Sequence, residues 1–240
     1  MRMTQLSVNL NKVALIRNAR GENLPDLVQV ARDCEHFGAQ GITVHPRPDQ
    51  RHIRYADIPA LKKVVTTELN VEGNPTEPFL ELVIANRPHQ VTLVPDPPGA
   101  LTSTGGWDTI GQQSYLSEVI RRLQEAGCRV SVFIDPDPAW VKGAADCGAD
   151  RVELYTGHYA RQFDSDRAEA VAPHRRCAEE ALALGVGLNA GHDLNLQNLS
   201  YYARKVPGLL EVSIGHALIC DALYFGLRNT IQQYLACLKD

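Results

Sequence analysis

The feature that most constrains this chain is an eightfold recurrence, in which a short β-type run is followed each time by a segment of helical periodicity. The runs are LSVNL (6–10), GITVH (41–45), LNVEG (69–73), QVTLV (90–94), RVSVFI (129–134), RVELYT (151–156), VGLNAG (186–191) and LEVSIG (210–215). Between them, segments such as PDLVQVARDCEHFGA repeat Leu27, Val30, Ala31, Cys34 and Phe37 at helical spacing, with Pro25 where a first turn would begin. The runs read as near-continuous apolar stretches, as in a parallel sheet buried on both faces. Gly38-Ala39, Ala126-Gly127 and Gly148-Ala149 read as helix ends. Eight strand and helix units in 240 residues match an α/β fold of the (β/α)8 TIM barrel type with extra helices, a single domain over 1–240. A doubly wound open sheet is the rival. It usually carries a glycine-rich phosphate loop after its first strand, and VNLNKVALIRNARG has none.

Composition excludes several function classes. With 44% hydrophobic residues the chain can bury a full core, so disorder is excluded. The net charge of −4 and the scattering of basic residues argue against a nucleic-acid backbone as partner. Six cysteines without CxxC spacing read as free thiols in a reducing cytoplasm, with no structural zinc or disulfide framework. The start, MRMTQLSVNLN, turns polar too early for a signal peptide, and no apolar run reaches the roughly 18 residues that span a bilayer. The expectation is a cytoplasmic protein with no membrane partner.

In a barrel, chemistry collects just past the C-terminal ends of the strands. Here those positions hold Asn9 and Asn11, then His45 and Arg47, then Glu72, Glu153, Asn189 with Gly191 and His192, and Ser213 with Gly215 and His216. The stretch GITVHPRPDQRHI is the densest case, with His45, Arg47, Arg51 and His52 directly after an apolar run. Buried ionisable groups are costly unless paired, so their recurrence at strand ends points to function. Two imidazoles and two carboxylates in one cavity can divide into acids and bases near neutral pH, which suits serial proton transfers on carbonyl or imine intermediates. Gly191-His192 and Gly215-His216 fall in the loops where barrels hold phosphate, and Arg47 with His52 can bind a second phosphate through side chains. Of the six lysines only Lys12 lies near a strand end, which disfavours Schiff-base catalysis.

The stretches NARG (18–21), GITVH followed by RHI (41–53), NVE (70–72), Gly105-Gly106, VSVFID (130–135), LNAGH (188–192) and SIGHA (213–217) resemble those of the pyridoxine 5'-phosphate synthases, nearly end to end. The resemblance implies a homo-oligomeric barrel, an octamer, that uses no cofactor and no metal. It implies condensation of 1-deoxy-D-xylulose 5-phosphate with 3-amino-2-oxopropyl phosphate to pyridoxine 5'-phosphate, phosphate and water. Carried over by residue, it implies His45 and Glu72 as proton acceptors, His192 as proton donor and Glu153 as a further charged group. It implies Asn9, Arg20, the backbone at Asp193, Gly215 and His216 as contacts of the aminoketone phosphate. Arg47, His52 and Thr102 are the implied contacts of the deoxyxylulose phosphate.

Three places depart from that pattern. Asn11-Lys12 stands where many resembling sequences have Asp-His, Asp193 stands where they often have glycine, and the loop DPPGALTSTGGWDT differs in composition. A carboxylate at Asp193 beside a phosphate is expected to repel it. Two other classes remain open from the residues: a metal-dependent sugar-phosphate epimerase using the same His and carboxylate groups, and a catalytically dead barrel acting as a scaffold.

Overall fold

The computed structural model describes residues 3–96, 99 and 102–239. Pro97, Pro98, Ala100 and Leu101 of the DPPGALTSTGGWDT loop lie outside these residues, as do Met1, Arg2 and Asp240. The chain opens with β1 (Gln5–Asn9), α1 (Asn11–Asn18), α2 (Leu27–His36) and β2 (Gly41–Val44). There follow α3 (Asp57–Lys62), β3 (Leu69–Gly73), α4 (Glu77–Asn86), β4 (Gln90–Leu93), α5 (Gln113–Glu125) and β5 (Arg129–Ile134). Next come α6 (Pro138–Asp146), β6 (Arg151–Tyr155), α7 (Gly157–Gln162), α8 (Arg167–Leu184) and β7 (Gly187–Gly191). The described chain ends with α9 (Leu199–Lys205), β8 (Leu209–Ile214), α10 (His216–Phe225) and α11 (Leu227–Cys237). All eight expected strands are present, each boundary within one residue of the reading from sequence. Every neighbouring pair is parallel, and β8 pairs with β1 to close the barrel.

Local chemistry explains the element ends. Asp26 caps α2 by accepting from the Val28 and Gln29 amides, so Pro25 stands before the cap and outside the first turn. Gly38, Gly127 and Gly148 take φ of +105°, +89° and +87°, turning the chain off α2, α5 and α6 into the next strand as expected. Gly226 at φ +75° divides α10 from α11, and Leu218, Ile231 and Leu238 are all buried.

The strands differ from the sequence reading in one respect. Most are not continuous apolar runs but alternate, as in Leu6-Ser7-Val8-Asn9, Ile42-Thr43-Val44-His45 and Leu69-Asn70-Val71-Glu72, while β5 ends in the apolar Val132-Phe133-Ile134. The apolar set faces the helices in one core cluster with Val13, Ala31, Leu80 and Ile120. The polar set faces inward. Across adjacent strands the Ser7 and Thr43 hydroxyls meet at 2.7 Å, Asn70 Nδ2 donates to Thr43 Oγ1 at 3.3 Å, and Thr92 Oγ1 donates to Asn70 Oδ1 at 3.0 Å. Below this chain, Arg151 pairs with Glu211 at 3.6 Å and Arg129 pairs with Glu68. Both sets are buried, which is why burial alone does not reveal the alternation. Period-two alternation places one set on each face. Burying each apolar side chain contributes roughly 1.5–3 kcal/mol, whereas the inner polar set is tolerated only when hydrogen-bonded.

The inner chain generates a test. Thr43→Val keeps the shape of the side chain but leaves Ser7 and Asn70 without their shared partner. Urea unfolding should reveal a loss of about 1–3 kcal/mol, and an unchanged midpoint would remove this chain from the stabilising interactions.

Candidate active site

The C-terminal ends of the strands surround a cavity of about 470 Å³. Asn9, Asn11, Lys12, His45, Arg47, Arg51, His52, Glu72, Thr102, Glu153, His192, Asp193, Ser213, Gly215 and His216 line it, with Val94 and Phe133 as an apolar wall. The structure thus brings together eleven of the twelve residues that sequence reading singled out. Arg20 is the exception: it lies exposed in the turn after α1, outside the cavity lining. α1 begins with Asn11 at the mouth and ends at Asn18, so about 10 Å of helical rise lies between the mouth and the turn that carries Arg20.

The loop after β2 is held from behind. Arg17 forks onto Asp57 at 2.7 and 2.9 Å and also donates to the His52 carbonyl. Asn18 donates to the carbonyls of Arg51 and His52. Asn11, one of the departures, accepts from the His45 amide at 2.9 Å and so fixes where the imidazole leaves β2. Lys12 is a cation in the first turn of α1, an unfavourable place beside the helix dipole, and it lines the cavity.

Burial divides the titratable groups. His45 is held well below its ordinary pKa, first by desolvation and then by Arg47, His52 and Arg51, so it is neutral and able to take a proton. Its Nδ1 lies 3.9 Å from Glu72 Oε2, which also accepts from Asn9 at 3.4 Å. Desolvation pushes the Glu72 carboxyl up to about 7, His192 opposing and Asp96 adding to the effect. Glu153 is also raised, by burial and then by Glu72 and Glu211. A Cβ on Gly191 would lie 2.3 Å from Glu153 Oε1, so the glycine makes room for this carboxyl.

Two groups of hydrogen-bond donors flank these residues. His52 Nδ1 accepts from the Ile53 amide at 2.9 Å, which leaves the proton of the neutral ring on Nε2. Burial and then Arg47 lower its pKa to about 4, making it a neutral donor. Arg47 is buried with one guanidinium arm on Asp96 at 2.6 Å, and Ser103 donates to the same carboxylate. Across the mouth, α10 starts at Gly215 with no side-chain cap and no acidic residue in its first turn, so its first amides are open to an anion.

His192 is held at both ring nitrogens: Nδ1 lies 2.6 Å from Asp193 Oδ2 and Nε2 lies 2.7 Å from Thr102 Oγ1. The Asp193 amide, expected to meet a phosphate, donates instead to Thr156 Oγ1. Among the described residues, no group of three or more His, Cys, Asp or Glu side chains is arranged to hold a metal ion.

Sequence reading missed Asp96, Ser103 and Thr156. Asp96 follows β4 and falls under the same strand-end rule that found the others. Ser103 and Thr156 carry no local signal, because only folding brings them to Asp96 and to the Asp193 amide.

Residues 6–240 match the family model described as pyridoxal phosphate biosynthesis protein PdxJ. The chain belongs to the PdxJ family. The pyridoxine 5'-phosphate synthase of Cytophaga hutchinsonii is 62% identical over 99% of this chain and 100% of its own length. That of Flavobacterium johnsoniae is 56% identical over the same shares. Among solved structures, tryptophan synthase from Mycobacterium tuberculosis superposes with a TM-score of 0.65 at 14% identity, covering 99% of this chain and 93% of that one. Phosphoribosyl anthranilate isomerase from Thermus thermophilus gives 0.61 at 14% identity, covering 98% of both chains. At those identities the likeness concerns the barrel alone.

The raised Glu153 generates a stability test. Its unfolded carboxyl ionises near 4.5, whereas the fold disfavours the charged form, so stability contributed by the protonated group is lost as pH rises above that value. Glu153→Gln removes that dependence. Its melting temperature relative to the unsubstituted protein should increase from pH 5 to pH 8, and a pH-independent difference would contradict the burial argument.

Proposed function

We propose that the chain catalyses the ring-closing condensation of 1-deoxy-D-xylulose 5-phosphate with 3-amino-2-oxopropyl phosphate, releasing pyridoxine 5'-phosphate, phosphate and water. The observation that carries this reading is a PdxJ-family chain whose strand ends gather two imidazoles, two carboxyls and two anion-binding arrangements around one cavity. Neutral His45 and Glu72, whose carboxyl burial pushes up to about 7, serve as proton acceptors, and their 3.9 Å separation lets both act on neighbouring atoms of one substrate. His192 serves as proton donor. Glu153, whose neutral form burial favours, limits the negative charge on that side of the cavity.

Two phosphorylated substrates require two phosphate sites. The open amides of α10, with Gly215, His216 and Asn9 beside them, suit the aminoketone phosphate that the product retains. Arg47, His52 and Thr102 suit the phosphate that leaves. Charge develops on that group as its bond breaks, and positioned donors hold the developing charge more strongly than the ground state.

The test is direct. Incubation with both phosphates should give pyridoxine 5'-phosphate by absorbance and mass. Glu72→Gln should lower turnover by about 10²- to 10⁴-fold with substrate binding nearly intact. Near-normal turnover in that variant would remove Glu72 from the mechanism, and no product from the unsubstituted enzyme would overturn the reaction.

The reading takes residues 1–240 as one catalytic domain in the cytoplasm, supported there by six unpaired cysteines. It also includes a homo-oligomer, for which an octamer is the working state. Leu223, Tyr224 and Phe225 at the end of α10 are 74%, 86% and 48% exposed, and α10 packs against α1, where Leu15 and Ile16 are exposed too. An apolar face of this kind favours self-association. Light scattering at micromolar concentration should give a mass above 26.4 kDa, and a monomer would sink the idea.

A further inference from the structure

We propose that Asp193 is a positioning residue for His192, forming a carboxylate–imidazole pair that sets the tautomer of the proton donor and holds its charged form. The proposal rests on the reading of His192 as proton donor. It gives a role to a carboxylate standing where the resembling sequences often have glycine.

Three observations carry it. First, Asp193 Oδ2 lies 2.6 Å from His192 Nδ1, a charge-assisted distance, so the carboxylate faces the ring and not a neighbouring phosphate. The opposite nitrogen, Nε2, points to Thr102 Oγ1 on the cavity side. A proton on Nδ1 bonded to a carboxylate leaves Nε2 as the nitrogen that gains and loses a proton, the division of labour that a carboxylate imposes on any imidazole it faces.

Second, the backbone is bent to make this contact. His192 has φ +97°, costly for a side chain with a Cβ. The bend is held from three sides. Thr156 Oγ1 donates to the Gly191 carbonyl at 2.7 Å and accepts from the Asp193 amide at 3.1 Å, while Asn198 Nδ2 donates to the Asp193 carbonyl at 3.3 Å. Third, the Tyr155 ring stands edge-on to the imidazole at 5.3 Å, closing the remaining direction of rotation.

In the proton-transfer step, the Nε2–H bond of the imidazolium breaks. The proton passes to a substrate atom and the electron pair stays on Nε2. The Nδ1 proton remains in its bond to Asp193, so the neutral ring is left in one orientation, ready to be reprotonated. The titratable and charged groups around this pair are Glu72 on β3, Glu153 and Tyr155 on β6, Arg161 on α7, and His216 at the start of α10. Hydrogen bonding to His192 lowers the Asp193 carboxyl, in keeping with a carboxylate committed to the ring.

The test follows the protonation of His192 itself, by hydrogen–deuterium exchange at the imidazole C2 position read by mass spectrometry. A partner carboxylate at this distance raises the pH at which the ring loses its proton. Asp193→Asn and Asp193→Gly should therefore each lower the His192 midpoint by about one pH unit or more, and Asp193→Glu should restore part of it. In turnover assays the alkaline limb of the kcat profile, where the donor must still be protonated, should move down with the midpoint while KM stays near its original value. Either variant in a folded state is sufficient. An unchanged midpoint in a folded variant overturns the pairing. A moved midpoint with an unmoved alkaline limb overturns its part in proton donation. If the unsubstituted enzyme forms no pyridoxine 5'-phosphate, the reaction proposed above fails, and the midpoint alone decides whether Asp193 governs His192.

Discussion

The structure depends on the pairing of β8 with β1, which turns eight parallel strands into a closed surface with an inside and an outside. Closure assigns every second residue to the lumen. In most barrels that space is filled by branched apolar side chains. Here Ser7, Thr43, Asn70, Thr92 and Asn189 occupy it, with Arg129, Arg151 and Glu211 toward the N-terminal end. The apolar stabilisation comes from outside the sheet, where the alternate residues meet the helices. The lumen is held by hydrogen bonds and ion pairs instead, so its residues are specified by partner more than by volume.

A polar lumen prepares the mouth for chemistry. Glu72, Glu153 and Glu211 are all raised, to about 7 for the first and about 8 for the last, chiefly because burial disfavours three carboxylates inside one narrow space. The same burial lowers His45 and His52 in the segment after β2, where Arg47 already supplies positive charge. One physical term therefore gives carboxyls that keep protons and imidazoles that shed them, a condition for acid and base steps in a single cavity. His192 stands apart, more exposed to solvent and paired with a carboxylate outside the lumen.

Much of this was legible before folding. Strand ends carrying His45, Glu72, Glu153 and His192 could be read directly, because a barrel maps the end of each strand onto one face. Asp96 was legible by the same rule. The alternation of most strands was legible too, since Leu6-Ser7-Val8-Asn9 displays it in the letters themselves. It is obscured because small polar residues between β-branched ones resemble an apolar run. Arg20 stands differently: its motif NARG reads as part of the site, yet Arg20 lies outside the cavity lining, while Asn18 of that motif and Arg17 before it pin the β2 loop.

What the sequence determined by itself was the element order, the barrel and the strand-end residues, because these follow from short-range periodicity and from a symmetric closure that leaves one possible mouth. Tertiary structure alone decided which partner each group meets. Asp193 was expected beside a phosphate and turns to His192; its amide goes to Thr156, thirty-seven positions away; Arg47 spends one arm on Asp96. Hydrogen bonds and pKa values depend on distance and burial in space, and neither quantity is encoded by the spacing of residues along a chain.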